Sequence, residues 1–223
     1  FTGIGESDFH QAVDAKLARI DGLEFGYCAH IGEVDLRLIG SEQVLASARE
    51  LVMGTFAPYL ISDDGASMEE TVVRLLARQT KTIATAESCT GGLISKRLTD
   101  VPGSSAVFTH GYVTYANEAK VEMLGVSPAT LEVNGAVSEE VAAEMAMGAL
   151  ARAKADIAVS VTGVAGPDGG TEEKPVGTAW IGVAAKGRAA TAFRVFHPRN
   201  RHDFRLSVSQ DALEAVRRVL VNP

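Results

Sequence analysis

Cysteine is scarce in this chain. Two residues, Cys28 and Cys89, in a length of 223 are too few and too far apart for a disulfide framework or a thiolate metal site. A reducing, cytoplasmic setting is therefore expected. The five histidines, His10, His30, His110, His197 and His202, form no His-x-x-x-His or Glu-x-x-His set, so neither a metal nor any other cofactor is expected. No window offers the run of about 18 apolar residues that a spanning helix needs, and Phe1 to Ser7 lacks a basic segment followed by an apolar one, so membrane insertion and export are not expected. Positive charge is also in deficit. The 21 Lys and Arg stand against 28 Asp and Glu for a net −7, a balance that argues against nucleic acid as a partner. What is present, 46% hydrophobic and 22% charged residues, is the profile of a folded globular protein. Its length corresponds to roughly one and a half domains. Residue 1 is phenylalanine and not methionine, so the chain is open to being a piece of a longer one.

A Gly/Asp/Ser cluster at Ile61-Ser62-Asp63-Asp64-Gly65-Ala66 places a boundary between residues 1–62 and 63–223. The first segment carries four basic residues (Lys16, Arg19, Arg37, Arg49) and nine acidic ones, so most of the negative balance lies there. Ser7 precedes Phe9, Val13 and Ile20 at helical spacing, Val34, Leu36 and Leu38 alternate as in a half-buried strand, and a second helix is expected from Ser41 through Val52. About 60 residues bury little surface, so this α+β module is expected to lean on a neighbour. In the larger segment a capping box, Ser67 with Glu70, opens a helix. Strands are expected at Thr82 to Thr85, Val107 to Tyr115, Asp156 to Thr162, Thr178 to Ala185 and Ala190 to Phe196, the last two joined by a Lys186-Gly187-Arg188 hairpin. Helices are expected at Leu93 to Leu98, from about Asn117 to Leu124, in an alanine-rich stretch after Ser138, and through Phe204, Val208, Ala212 and Val219. This alternation is an α/β fold, a mixed sheet covered by helices.

Three segments could carry chemistry. Glu87-Ser88-Cys89-Thr90-Gly91-Gly92 passes from strand to helix, where Ser88 can project at the carboxyl end of the sheet and free N–H groups of the first helical turn can receive an oxyanion or phosphate. Standing alone, it reads more readily as a Thr90 N-cap before a glycine-rich turn. Gly111 to Lys120 also passes from strand to helix. Lys120 in the first turn could be a base with its pKa lowered by the dipole, or a solvated surface lysine, and Tyr115 could be a core aromatic. The stretch Thr162 to Gly177 packs five glycines and two prolines into sixteen residues, a density suited to cradling an anion. It matches neither a Walker loop nor the dinucleotide fingerprint. Arg194, Arg199, Arg201 and Arg205 with His197 and His202 gather cations near the last helix, as a phosphate or carboxylate site would. A Cys89 nucleophile assisted by His110 is a further option, set against a cysteine that is simply a small hydrophobe.

Together Thr85-Ala86-Glu87-Ser88-Cys89-Thr90-Gly91-Gly92, Val113 to Lys120, and Gly163-Val164-Ala165-Gly166-Pro167-Asp168-Gly169-Gly170 with Glu173-Lys174-Pro175-Val176-Gly177-Thr178 resemble the CinA C-terminal domain, a family of nicotinamide mononucleotide deamidases. The resemblance covers about residues 67 to 220. Residues 1–62, with Gly3-Ile4-Gly5-Glu6-Ser7, resemble the KH-like module that precedes that domain in full-length CinA proteins; the family's molybdopterin-binding-like domain would then be missing. The resemblance implies hydrolysis of the carboxamide of nicotinamide mononucleotide to nicotinate mononucleotide and ammonia. It implies Ser88 as nucleophile, Lys120 as base and Tyr115 as the third catalytic group, with Glu87, Thr90, Gly91, Gly92, Asn117, Thr162, Gly163 and Gly166 at the substrate. Arg201 keeps the arginine of the family's usual Gly-Asp-Arg as a phosphate contact, whereas Arg199 and Asn200 depart from it. A homo-oligomer is also implied. The rival reading, a competence- or DNA-damage-associated binding module, has against it the acidic first segment and its lack of the Gly-x-x-Gly loop with which KH domains clamp a nucleic acid.

Overall fold

The computed structural model describes residues 1–221, and it divides into two compact units, Phe1–Ser67 and the chain from Met68 on. In the first unit, helix α1 (Glu6–Phe9) continues through a π-helical turn, His10–Asp14, into α2 (Ala15–Leu17). Ile20, expected on that helix, lies in the turn beyond it. Strands β1 (Glu24–His30) and β2 (Glu33–Ile39) form an antiparallel hairpin, and α3 (Glu42–Phe56) follows, with Ser41 as its N-cap accepting from the Val44 N–H. Phe9, Val13 and Leu17 pack with Val34, Ala48, Val52 and Phe56 into the core of this unit. A cleft of about 530 Å³ is lined only by residues of this unit, among them Val34, Leu36, Leu45 and Val52.

The second unit opens with α4 (Met68–Arg78) and is built on one mixed sheet. Its strands are β3 (Ile83–Glu87), β4 (Phe108–Val113), β5 (Ile157–Gly163), β6 (Thr178–Ala185) and β7 (Thr191–Phe196), in the order β4-β3-β5-β6-β7. Strand β3 runs parallel to both β4 and β5, while β6 and β7 are antiparallel additions. The helices are α5 (Leu93–Thr99), α6 (Asn117–Ala119) running into a π-helical turn at Lys120–Leu124, α7 (Pro128–Asn134), α8 (Glu139–Ala153) and α9 (Arg201–Val221).

Side chains alternate along β3 and so divide the layers. Ala84 and Ala86 join Val141, Met145 and Ala149 of α8 in one cluster, whereas Thr85 and Glu87 on the opposite face bond Ser95 of α5. Small residues let α8 approach closely: the Ser160 hydroxyl donates to the Ala142 carbonyl at 2.6 Å, and a Cβ on Gly182 would sit 2.4 Å from that same carbonyl oxygen. The other face is covered by α9, which packs on β5, α4 and α5. Arg97 of α5 fastens these helices, donating to Glu69 of α4 at 2.7 Å and to Ser209 of α9 at 2.9 Å.

One strand and one helix differ instructively from the sequence expectation. Strand β3 starts one residue later and ends two residues later than Thr82 to Thr85. Thr82 is occupied by the Asp156 carboxylate, which accepts both its N–H and its hydroxyl at 2.9 Å, and Glu87 pairs with Val113 and Val161 as a sheet residue. Helix α7 is unanticipated, although Ser127 as cap, Pro128 at the first position and Gly135 after the end spell it out.

Candidate active site

Ser88 leaves the carboxyl end of β3, which is flanked by β4 and β5. Its N–H donates to the Val161 carbonyl at 2.9 Å, while the Glu87 carbonyl accepts from the Thr114 N–H at 2.8 Å. The chain then turns sharply, with Gly91 at φ +59 and Gly92 at φ +90, a left-handed pair that side-chain-bearing residues adopt at a cost. Ser88 is thereby held at 8% exposure beside a residue remote in sequence.

That residue is Lys120, 1% exposed. Its Nζ lies 3.3 Å from Ser88 Oγ, 3.0 Å from the Thr114 carbonyl oxygen and 3.3 Å from the Tyr115 carbonyl oxygen. The alternative reading, a solvated surface lysine, is therefore excluded. Burial pushes its pKa below the ordinary lysine range, against the smaller opposing pull of Cys89 and Glu118. Desolvation does this, where the sequence suggested a helix dipole. A neutral amine has two N–H donors and one lone pair. Two backbone carbonyls use the donors, which leaves the lone pair for the Ser88 hydroxyl; an ammonium donates to all three oxygens. Both protonation states are thus satisfied without rearrangement.

Glu87 is fully buried, and its role is local. Its carboxylate accepts the Ile94 N–H at 3.0 Å, the Ser95 N–H at 2.8 Å and the Ser95 hydroxyl at 2.7 Å. The first turn of α5 is consequently occupied by an internal carboxylate, and its Ile94 and Ser95 N–H groups are not free for a ligand. The Thr90 N-cap is also corrected: the cap residue is Gly92, without a side-chain bond. The buried Thr90 hydroxyl, like that of Thr114, has no partner among the described residues. Among those residues the Thr90 and Gly92 N–H groups also carry no acceptor within the protein.

Tyr115 meets Lys120 through its carbonyl and not its phenol. The residue is 58% exposed, and its hydroxyl oxygen accepts from Arg201 Nη2 at 2.8 Å. Arg201 Nη1 donates to the Gly166 carbonyl at 3.0 Å. One guanidinium therefore joins the second and third motifs. Gly166 has φ +71, and a Cβ there would meet Val176 Cγ1 at 2.5 Å. Gly163 is required by sheet packing, since a Cβ would lie 2.8 Å from both Ala179 Cβ and the Thr178 carbonyl oxygen. The Thr162 hydroxyl is engaged with the Ala136 carbonyl at 2.7 Å. Asn117 is exposed in the first turn after Ala116. Asn200, which departs from the Gly-Asp-Arg pattern, accepts the Asp203 N–H at 3.0 Å as a helix cap ahead of Arg201.

Arg205 was visible only as one member of a basic cluster. It reaches the turn itself, with Nε 3.2 Å and Nη2 2.5 Å from the Thr90 carbonyl oxygen. The other cations disperse: Arg194 donates to the Thr178 hydroxyl at 3.3 Å and His197 pairs with Asp211 at 2.6 Å. Burial pushes the Cys89 thiol up to about 12, and His110 stacks on Tyr112, so the Cys89 and His110 nucleophile pair has no basis in the structure. Among the described residues no group of His, Cys, Asp or Glu side chains could hold a metal ion, and no helix is long and apolar enough to cross a membrane.

Comparison with known proteins bears on the family and the fold. The chain is 53% identical over 211 residues to a CinA-like protein of Akkermansia muciniphila, covering 95% of this chain and 51% of that protein. It is 42% identical over 221 residues to a CinA-like protein of Mycobacterium marinum, covering 97% and 51%. The chain thus spans about half the length of the curated relatives it matches. Among solved structures, the competence/damage inducible protein CihA from Agrobacterium tumefaciens superposes with a TM-score of 0.67 at 42% identity, over 70% of this chain and 94% of that one. A CinA superfamily protein from Klebsiella pneumoniae gives 0.67 at 33% identity, over 70% and 97%. The sequence model of the CinA C-terminal domain matches residues 35–220, and the chain belongs to the CinA family.

Proposed function

We propose that this chain hydrolyses the carboxamide of nicotinamide mononucleotide, giving nicotinate mononucleotide and ammonia, through a Ser88 nucleophile activated by Lys120. The observation that carries the reading is the buried lysine amine 3.3 Å from the serine hydroxyl, with its basicity lowered by desolvation. A hydroxyl beside an amine whose charged form is disfavoured by burial is the arrangement of an activated nucleophile.

In the proposed reaction, Lys120 Nζ takes the Ser88 proton while Oγ bonds to the amide carbon, and the amide oxygen becomes an oxyanion. The unused N–H groups of Thr90 and Gly92 are the donors for it. Collapse breaks the C–N bond, and Lys120 returns the proton to the departing nitrogen, releasing ammonia. Water, deprotonated by the same amine, then cleaves the acyl ester and restores Ser88. Arg201, on the exposed side of the site, is the cation for the phosphate. The remote phosphate supplies binding energy that can be used at the reacting amide.

The deciding experiment measures ammonia release from nicotinamide mononucleotide, nicotinamide, nicotinamide riboside and NAD side by side. The mononucleotide is expected to be preferred. Equal catalytic efficiency on nicotinamide and its mononucleotide would overturn the proposal.

A further inference from the structure

We propose that Tyr115 is a specificity-determining residue: its ring offers the face on which the positively charged pyridinium ring of the substrate lies. The inference rests on the amide-hydrolase reading above and gives that site its means of recognising an N-ribosylated ring.

Tyr115 has an open ring held at both ends. Its carbonyl accepts from Lys120 Nζ at 3.3 Å, and its phenol oxygen accepts from Arg201 Nη2 at 2.8 Å, while Arg201 is itself tied to Gly166 at 3.0 Å. The side chain runs from the Ser88 and Lys120 pair to the guanidinium. Yet the residue is 58% exposed, and among the described residues its ring stands in no aromatic pair. An exposed tyrosine pinned in this way has already lost the rotamer freedom that binding would otherwise remove.

Ser88 Oγ and the Tyr115 carbonyl share Lys120 Nζ, so a carboxamide whose carbon meets Ser88 Oγ brings its attached ring toward Tyr115. The ring of nicotinamide mononucleotide bears a formal positive charge; free nicotinamide and the reduced dihydropyridine do not. A tyrosine face attracts a cation lying within about 6 Å of its centroid, so the residue favours the ribosylated, oxidised ring. The phenol proton plays no part in this, because the oxygen is engaged by Arg201 and Lys120 meets the residue only through the main chain.

The test uses the Ser88→Ala protein, titrated calorimetrically with nicotinamide mononucleotide and with its reduced dihydropyridine form, which shares ribose, phosphate and carboxamide but has a neutral ring. The oxidised form is expected to bind about five- to tenfold more tightly. Tyr115→Phe in that background should keep the preference and Tyr115→Leu should abolish it. At so exposed a position neither change threatens folding. Retention of the preference by Tyr115→Leu, its loss in Tyr115→Phe, or equal binding of the two forms by a chain whose Ser88 parent releases ammonia would overturn this inference alone. Absence of both turnover and binding would overturn the function and this inference with it.

Discussion

Replacing Lys120 by arginine separates charge from basicity. Arginine keeps a cation near the Thr114 and Tyr115 carbonyls but does not give up its proton at working pH. If the amine 3.3 Å from Ser88 Oγ is the base, catalytic efficiency for ammonia release falls by about 10²- to 10⁴-fold, equivalent to about 3–5 kcal/mol of barrier. Ser88→Ala should lose as much, and the double change Ser88→Ala with Lys120→Ala should lose little more than either alone, since one proton transfer is being removed twice. In the parent protein, efficiency should rise with pH through a pKa below that of an ordinary lysine, because protonation below that value removes the lone pair. Stability has a matching sign. Between the lowered folded pKa and the ordinary one the unfolded chain binds more protons at this group, so stability increases with pH across that window. Near-normal turnover by Lys120→Arg, or single losses that multiply in the double variant, would refute the assignment. Circular dichroism and a thermal melt on each variant separate lost chemistry from lost fold.

Four further outcomes follow from particular contacts. Glu87→Ala strips one carboxylate from two backbone N–H groups and a hydroxyl in the interior, so urea unfolding should show a loss of about 3 kcal/mol; a change within error would show that α5 needs no such anchor. Gly182→Ala puts a Cβ 2.4 Å from the Ala142 carbonyl oxygen and should cost about 1–3 kcal/mol in the same assay. Arg201→Lys loses the two-pronged grip on Tyr115 and Gly166, and should raise KM for the mononucleotide more than for the riboside, an ordering that equal shifts would contradict. A thiol reagent at pH 8 should label exposed Cys28 and spare Cys89, whose thiol is pushed up to about 12, until denaturant releases the second equivalent.

Period and punctuation carried the fold a long way. The alanine-rich run after Ser138 reads as a helix because small residues recur on its sheet-facing side, and Lys186-Gly187-Arg188 reads as a hairpin because two strand patterns meet at a residue tolerant of φ +77. The misses are where a partner far along the chain decides. Nothing local says that Asp156 takes the amide of Thr82, and so delays β3, or that Glu87 turns inward to hold α5. In the site, the motifs located Ser88 and Lys120, but the cause of the lysine's lowered pKa is tertiary burial, invisible to spacing. Arg205 was present in the sequence only as charge; its target, one carbonyl in the Ser88 turn, depends on how α9 crosses the sheet.

The change of strand direction within the sheet has a practical consequence. Because β6 runs antiparallel to β5, with Ala185 opposite Ile157 and Ala179 opposite Gly163, the 186–188 hairpin emerges at the end of the sheet away from Ser88, Lys120 and the glycine-rich loop. Its tip residues Gly187 and Arg188 are exposed, and a Cβ on Gly187 would meet nothing within 4 Å. Exposed tips of this kind accept inserted sequence. A peptide tag or fluorophore introduced there provides a handle for tethering the protein to a surface through the end of the sheet opposite Ser88 and Lys120.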